Sequence, residues 1–309
     1  MSIRPPLLEE VIVASEPASM AEGGEVGPIQ SGWKLTARSF AQNKLAVVGV
    51  GVIVFAILFC FVGPLLYHSN QLFPTPYFNR PPGGGDPLGT DNSGFDELGR
   101  IMLGGQAALE VGFFSAVIAS VIGTLTGTIS ALIGGWVDAV IMRIVDVLLS
   151  IPILFVVLIL ATTITPTVIS LSILIGLFSW LAPARLVRGE VLTLRTRDFV
   201  SAARVMGASR WRLSIRHLIP NALGVVIVNV TFQVADAIIL LATLGFLGWG
   251  LHYPNVSWGD MLNNGTVYAE DGYWWQIYPV GLSLVMVVMA WNFVGDAARD
   301  AVEVRLQSR

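Results

Sequence analysis

The feature that most constrains this chain is a series of six long apolar stretches. Each is close to the roughly 20 residues that a helix needs to cross the hydrocarbon core of a bilayer. Charged residues make up only 13% of the 309 positions, about half of the roughly 25% found in soluble domains. The sequence therefore predicts an all-α integral membrane protein. The predicted transmembrane helices cover residues 45–67, 111–134, 139–163, 167–183, 222–245 and 278–294.

The distribution of basic residues predicts the orientation of these spans. Segment 186–220, together with Arg185, holds eight arginines, whereas segment 249–277 has no Lys or Arg. Basic residues favour the cytoplasmic side. We therefore expect both termini and loop 186–220 to be cytoplasmic, and loops 68–108 and 249–277 to be external. Arg80 and Arg100 are the exceptions, since both fall in the first external loop.

The flanking segments are predicted from composition. Residues 1–32 are rich in Glu, Pro and Gly, which is typical of a disordered cytoplasmic tail. Residues 33–44 alternate apolar and basic side chains and suit an amphipathic helix at the interface. Residues 45–297 form the six-span domain, and residues 298–309 form a cytoplasmic tail.

The second predicted span carries a ridge of small residues. They recur at every fourth position: Ser115, Ala119, Gly123, Gly127 and Ala131. Small side chains let a second helix approach closely within lipid. This ridge predicts tight helix packing, which transporters and channels share.

The sequence also excludes several kinds of active site. Its two lysines, Lys34 and Lys44, do not follow glycine, so there is no Gly-Lys-Ser/Thr phosphate loop. The three histidines are isolated from one another and from Cys60. A membrane enzyme would need a nucleophile with a base beside it, and no such pair is visible. We expect no catalytic residue, no bound cofactor, no metal site and no nucleic-acid binding in this chain.

Loop 198–221 is too patterned to be a simple connection. Phe199, Val200, Ala203 and Met206 repeat at helical spacing, and Gly207 can end a helix in the left-handed conformation. Ser209 can cap a second short helix, which Pro220 would end before the fifth span. The loop is predicted to be either a docking element for a partner or a basic anchor on anionic lipid.

This loop resembles the EAA loop of ATP-binding-cassette (ABC) importer permeases. That motif runs Glu-Ala-Ala, three residues, Gly, nine residues and a hydrophobic-x-Leu-Pro ending. Ala202, Ala203, Gly207, Ile219 and Pro220 occupy matching positions, and Ser201 stands in place of the glutamate.

Further segments resemble the C-type permeases of dipeptide, oligopeptide and nickel importers. Segment 87–100, PLGTDNSGFDELGR, is similar to their GTDxxGRDxLSR signature, with Phe95 and Gly99 in place of Arg and Ser. Segment 134–152 is similar to their GG-x-x-D…MR-x-x-D…P run. Segments 246–250 and 257–262 resemble FLGLG and SWGxML, and segment 295–300 a terminal GDxLRD. The resemblance extends from Trp33 to Leu306.

The resemblance implies a type I ABC importer permease fold and a role in peptide import across a bacterial inner membrane. It implies a sister permease in a heterodimer, two ATPase subunits that bind ATP and Mg²⁺, and an extracytoplasmic substrate-binding protein. Nickel or another small solute on the same scaffold stays open, as does, from the residues alone, a self-sufficient secondary transporter. The coupling helix that enters the ATPase groove would comprise Val200, Ser201, Ala202, Ala203, Met206, Gly207, Ala208 and Pro220. We expect Ala203 to lie in that groove.

Charged residues within the spans are few, and each is a candidate site. Arg143 and Asp146 are three residues apart, a spacing that permits an ion pair on one helix face, structural or gating. Gln233 and Asp236 lie deep in the fifth span and either line a translocation path or join two helices. The aromatic residues of the second external loop form either an interfacial belt or a contact with the binding protein: Trp249, Tyr253, Trp258, Trp274 and Trp275.

Overall fold

The computed structural model describes residues 40–307, which form helices joined by turns and loops, with two isolated bridges and no strand in that range. The predicted tail 1–32 and residues 33–39 of the predicted interfacial helix lie outside the described residues. The first membrane helix begins after Asn43, whose side-chain oxygen accepts hydrogen bonds from the backbone N–H groups of Leu45 (3.0 Å) and Ala46 (3.3 Å). This cap satisfies two N–H groups that have no partner within the helix.

The helices include four long ones and several shorter ones. In chain order they are α1 Lys44–Leu66, α2 Glu97–Ile133, α3 Gly135–Leu149, α4 Ile153–Ala161, α5 Val168–Ser179, α6 Leu181–Leu194, α7 Asp198–Val205, α8 Trp211–Phe246, α9 Trp258–Val267 and α10 Tyr278–Gln307. Helices α1 and α8 each contain a π-helical turn, at Leu58–Val62 and Ser214–Leu218 respectively.

Four segments are long and apolar enough to cross a membrane singly, and they contain α1, α2, α8 and α10. Two helix pairs pass the same criteria together but are bent, α3 with α4 by 76° and α5 with α6 by 44°. Six spans result if each bent pair is one crossing. The all-helical, multi-span fold predicted from the sequence is confirmed.

Proline explains both bends. Pro152 immediately precedes α4, and it has no N–H with which to continue the hydrogen bonds of α3. Pro183 lies in the first turn of α6, so the carbonyl of Ser179, four residues earlier, receives no helical hydrogen bond from it. The fourth span was predicted to end at Pro183. That boundary was wrong, because a proline in the first turn of a helix is tolerated.

Helix α2 lies at the centre of the fold and packs against α5, α6 and α8. Its ridge of small residues is buried, as predicted. A Cβ atom at Gly123 would approach the Cβ of Pro183 to 2.5 Å, so only glycine lets α6 come this close. On the same ridge, Ser115 Oγ donates a hydrogen bond to the backbone carbonyl of Ser172 at 3.0 Å.

Two boundaries differ from prediction, because both helices continue beyond the apolar run on which the prediction was based. Helix α2 begins at Glu97 rather than near residue 111, capped by Asp96. Its polar first turns are held by neighbours, with Gln106 Nε2 donating to the carbonyl of Cys60 at 2.7 Å. Helix α10 continues to Gln307, beyond the predicted end at 294.

Candidate functional site

Part of the loop predicted to be cytoplasmic folds into a compact element, here called the knuckle, comprising residues 198–213. Helix α7 ends where Gly207 adopts φ = 82°. The N–H of Gly207 then bonds the carbonyl of Arg204, and the N–H of Ala208 bonds that of Ala203, both at 3.0 Å. The left-handed glycine predicted from the sequence is confirmed. It closes the helix and turns the chain towards α8.

The knuckle's inner face is buried in its own chain. Val200 is fully buried and Ala203 is 5% exposed. Val200 belongs to an apolar cluster with α2, α6 and the start of α8, and its other buried members are Ala131, Val187, Val191, Leu194, Leu213, Leu218 and Ala222. The expectation that Ala203 enters a partner's groove was wrong, because Ala203 shares the inward face of α7 with Val200.

The knuckle's outer face presents large apolar side chains to the surroundings. Val205 is 89% exposed, Met206 81% and Trp211 67%. Ser201 and Ala202 are also exposed on α7. A monomeric soluble protein seldom exposes large apolar side chains together at its surface, so the arrangement is typical of an interaction site.

The second half of the knuckle is continuous with α8. Ser209 Oγ accepts from the N–H of Arg212 at 3.3 Å, which is the predicted cap. Pro220 was predicted to end this short helix, but it lies within α8, just after the π-helical turn at Ser214–Leu218. The knuckle is therefore joined rigidly to a membrane helix.

The predicted pair of Arg143 with Asp146 was wrong. The Asp146 carboxylate pairs with Arg185 of α6. Helical spacing identifies neighbours on one helix only, whereas α3 also packs against α6. A second pair, not predicted, joins the same two helices, because Arg188 donates to both carboxylate oxygens of Asp138 at 2.5 Å. The only indication of these pairs in the sequence was the presence of Asp138 and Asp146 in segment 134–152, which resembles a run of the permease family.

Gln233 and Asp236 have different surroundings on α8. Gln233 is 8% exposed, and its Nε2 donates at 3.2 Å to the carbonyl of Ser179. This carbonyl is the one that Pro183 leaves free, so Gln233 completes the break between α5 and α6. Asp236 is exposed and faces a cavity of about 600 Å³. The cavity's other walls come from the α3–α4 bend and from α5 and α6.

Loop 68–96 folds around Asp91. Its carboxylate receives the backbone N–H groups of Ser93 and Phe95, both at 2.8 Å, and the Arg100 guanidinium at 2.6 Å. The guanidinium also lies 4.2 Å from the centre of the Phe95 ring. Phe95 stands where the permease-family motif has an arginine. It thus supplies an aromatic face for the guanidinium of Arg100.

Two tryptophans join segment 249–277 to loop 68–96 and to the first turns of α2. Trp258 is 2% exposed and its Nε1 donates to the carbonyl of Ile101 at 3.0 Å. Trp275 is 6% exposed and donates to the carbonyl of Thr90 at 3.1 Å. Neither the belt nor the binding-protein contact describes these two residues. Trp249, Tyr253 and Trp274 remain exposed.

Two carboxyl groups outside the membrane-spanning helices are stabilised in their protonated form. Asp96, the cap of α2, and Asp260, in α9, both have pKa values raised by burial. Ser257 Oγ lies 2.5 Å from Asp260 Oδ2 and partly opposes the pKa shift. Among the described residues, no group of three or more His, Cys, Asp or Glu side chains could hold a metal ion.

The chain matches known transport proteins along most of its length. Residues 119–308 match the family model described as binding-protein-dependent transport system inner membrane component. Residues 31–82 match the N-terminal transmembrane domain of oligopeptide transport permease C.

Several curated proteins are similar over nearly the whole chain. The oligopeptide transport system permease protein OppC of Escherichia coli (strain K12) is 38% identical, covering 88% of this chain and 90% of the relative. OppC of Salmonella typhimurium is 40% identical with the same coverage. The dipeptide transport system permease protein DppC of Alkalihalophilus pseudofirmus is 34% identical, covering 90% of this chain and 91% of the relative.

Proposed function

The chain belongs to the family of binding-protein-dependent transport system inner membrane components, and we propose that it is the permease subunit of an ATP-driven importer of peptides. The similarity to proteins named as oligopeptide and dipeptide permeases supports the substrate class. The single observation that carries the mechanism is the exposed apolar face of the knuckle, because it offers a docking surface rigidly joined to α8.

In this proposal the complex also contains a sister permease, two ATPase subunits that bind ATP and Mg²⁺, and an extracytoplasmic binding protein. The chain performs no catalysis itself. ATP binding closes the ATPase subunits, and their movement is transmitted through the knuckle to the membrane helices. The knuckle packs against its own chain through its inner face and joins α8 without a flexible linker. Such an element is suited to transmit this movement to the membrane helices.

The docking side chains are those of the outer face: Ser201, Ala202, Val205, Met206 and Trp211. Val200, Ala203 and Ala208 support them from within, and Gly207 sets the angle between α7 and α8. The alternative of a lipid anchor is less well supported. An anchor would rely on arginines alone, whereas the knuckle also exposes the apolar side chains of Val205 and Met206.

The cavity beside Asp236 is proposed as half of the translocation path. A carboxylate at membrane depth is costly unless it faces water or a partner, and the cavity supplies that access. The sister permease would close the other side. The two ion pairs between α3 and α6 would hold the α3–α4 bend that forms one wall of the cavity.

The test is uptake into proteoliposomes that contain the complete complex purified from its host, with its binding protein. The probe is radiolabelled trialanine. We expect uptake that requires ATP on the side of the membrane where the ATPase subunits lie. Uptake should be unchanged when the proton gradient is collapsed. Uptake by this chain alone, driven by a proton gradient without ATP, would instead establish a secondary transporter. Uptake of radioactive nickel but not trialanine would contradict the peptide substrate.

A further inference from the structure

A second, smaller cavity lies on the cytoplasmic side of the first. Its volume is about 190 Å³, and α6, α8 and α10 form its walls. Most of the lining is aliphatic or aromatic, and the polar members are Asn229, Arg299 and Glu303. We call this the inner cavity, and the cavity beside Asp236 the outer cavity.

The two cavities are successive parts of one cleft. On α6, Ala182 lines the outer cavity and Leu186 the inner one, one helical turn further along. On α8, Asp236 lines the outer cavity, and Phe232 and Asn229 line the inner one. Residues spaced by three or four share one helix face. The α6–α8 cleft therefore continues from the outer cavity towards the cytoplasmic end of α10.

Phe232 marks the boundary between the cavities. It lines the inner cavity, and the next residue, Gln233, lines the outer one. Its ring rests against Gly295 of α10, where an added Cβ atom would come within 2.9 Å of the ring's Cζ. The missing side chain of Gly295 thus provides the recess that the ring occupies.

The polar groups of the inner cavity are not used by the fold. The side-chain oxygen of Asn229 is buried and has no hydrogen-bond partner among the described residues. A buried acceptor without a partner is costly. Arg299 and Glu303 are four residues apart on α10, a spacing that permits an ion pair. Nevertheless, no ion pair of either residue forms within the described part of the chain.

These groups match the chemistry of a peptide. A guanidinium binds a carboxylate through paired N–H donors, a free amide oxygen accepts a backbone N–H, and a carboxylate attracts an ammonium group. The apolar walls accept side chains without selecting among them. Charge complementarity and continuity with the outer cavity therefore favour the transported peptide as the occupant.

We propose that the inner cavity is a second station for the transported peptide, in which Arg299 receives the peptide carboxylate, Asn229 accepts a backbone N–H, and Phe232 separates this station from the outer cavity. This inference rests on the proposed peptide-import function. It adds a cytoplasm-side binding step and a chemical preference for peptides with a free carboxyl terminus.

The first test compares uptake of trialanine with that of trialanine amide by the reconstituted complete complex. In Arg299→Gln we expect uptake of trialanine to fall about tenfold, while uptake of the amide changes little. Arg299→Lys should recover part of the trialanine uptake. Asp300→Asn, which changes a neighbouring exposed charge on α10, is the matched control and should leave the ratio unchanged.

The outcomes separate this inference from the proposed function. If Arg299→Gln lowers uptake of both probes equally, or of neither, the carboxylate station is overturned while peptide import stands. If the wild-type complex transports neither probe, peptide import itself is contradicted, and the station with it. Complex abundance and ATP hydrolysis, measured alongside, should be unchanged in Arg299→Gln.

A second test places a photoreactive group in the cavity. Phe232 is replaced by benzoylphenylalanine, and the complete complex is irradiated during ATP-driven uptake of radiolabelled trialanine. We expect label on this chain, and we expect excess unlabelled trialanine to suppress it. Cross-links only to phospholipid or to the sister permease would identify a different occupant and overturn the station.

Discussion

The lobe, residues 68–96, and the knuckle are built in opposite ways. In the lobe the buried Asp91 carboxylate binds Arg100, and the carbonyl of Thr90 accepts a hydrogen bond from the buried Trp275, which is far away in sequence. The knuckle is held in place by contacts between apolar side chains on its inner face. Its other face leaves Val205 and Met206 almost fully exposed.

The difference indicates which end needs a partner to be complete. The Asp91 carboxylate and the buried indole N–H groups of Trp258 and Trp275 find their partners within this chain. The knuckle's exposed apolar side chains contribute to stability only when another surface covers them and removes them from water. We therefore infer that substitutions in the lobe act mainly on this chain's folding, whereas substitutions on the knuckle's outer face act mainly on assembly.

The largest effect is expected from Asp91→Ala. The change leaves the Arg100 guanidinium largely buried without its carboxylate and removes the acceptor for two backbone N–H groups. Breaking such a pair costs about 3–5 kcal/mol. The thermal unfolding temperature in detergent should fall sharply. Asp86→Ala is the control, since the Arg80–Asp86 pair is looser, at 3.9 Å, and more exposed. A similar loss in both variants would contradict the central position given to Asp91.

Ala203→Glu is expected to be the next most damaging change. It would place a carboxylate on the inner face of the knuckle, at a position that is only 5% exposed. Burying an unpartnered polar group costs about 1–3 kcal/mol. Abundance and resistance to protease should fall even without ATPase subunits. Ala202→Glu, one residue away on the exposed side, should keep both. Normal abundance and protease resistance of Ala203→Glu would place residue 203 outside the core.

Gly207→Val should have a smaller, local effect. The residue has φ = 82°, and a Cβ atom there would meet no other atom, so the cost is conformational strain alone, about 1–2 kcal/mol. Gly207→Asn should be milder, because asparagine tolerates this conformation better. Hydrogen exchange across α7 would report the loosening. Equal exchange in the glycine, asparagine and valine forms would contradict the role of the left-handed turn.

The smallest effect concerns the pH dependence of stability through Asp260. Burial raises the pKa of Asp260 from its usual 3.8, so the folded state holds this proton more tightly than the unfolded state does. The resulting stabilisation is complete below 3.8 and is lost as pH rises through the folded-state pKa. The unfolding temperature of Asp260→Asn should therefore decline less with rising pH than that of wild type. Parallel curves would contradict this assignment.

The sequence predicted the features that depend on local pattern. Apolar length predicted the membrane helices, the four-residue repeat predicted the buried ridge of α2, and Gly207 predicted the turn of the knuckle. Features that depend on tertiary contacts were missed. The partner of Asp146 proved to be Arg185, and Ala203 turned inwards, because helical spacing tells which residues share a face but not what that face meets.

The most direct test of the account is Met206→Glu in the outer face of the knuckle, studied in the complete complex. We expect normal abundance and an unchanged unfolding temperature of the isolated chain, because Met206 is 81% exposed. We also expect loss of ATPase-subunit copurification and of ATP-driven trialanine uptake, because a charge would replace an apolar docking contact. Met206→Leu should retain both. Normal copurification and uptake by Met206→Glu, at normal abundance, would contradict the claim that this face joins the chain to its ATPase.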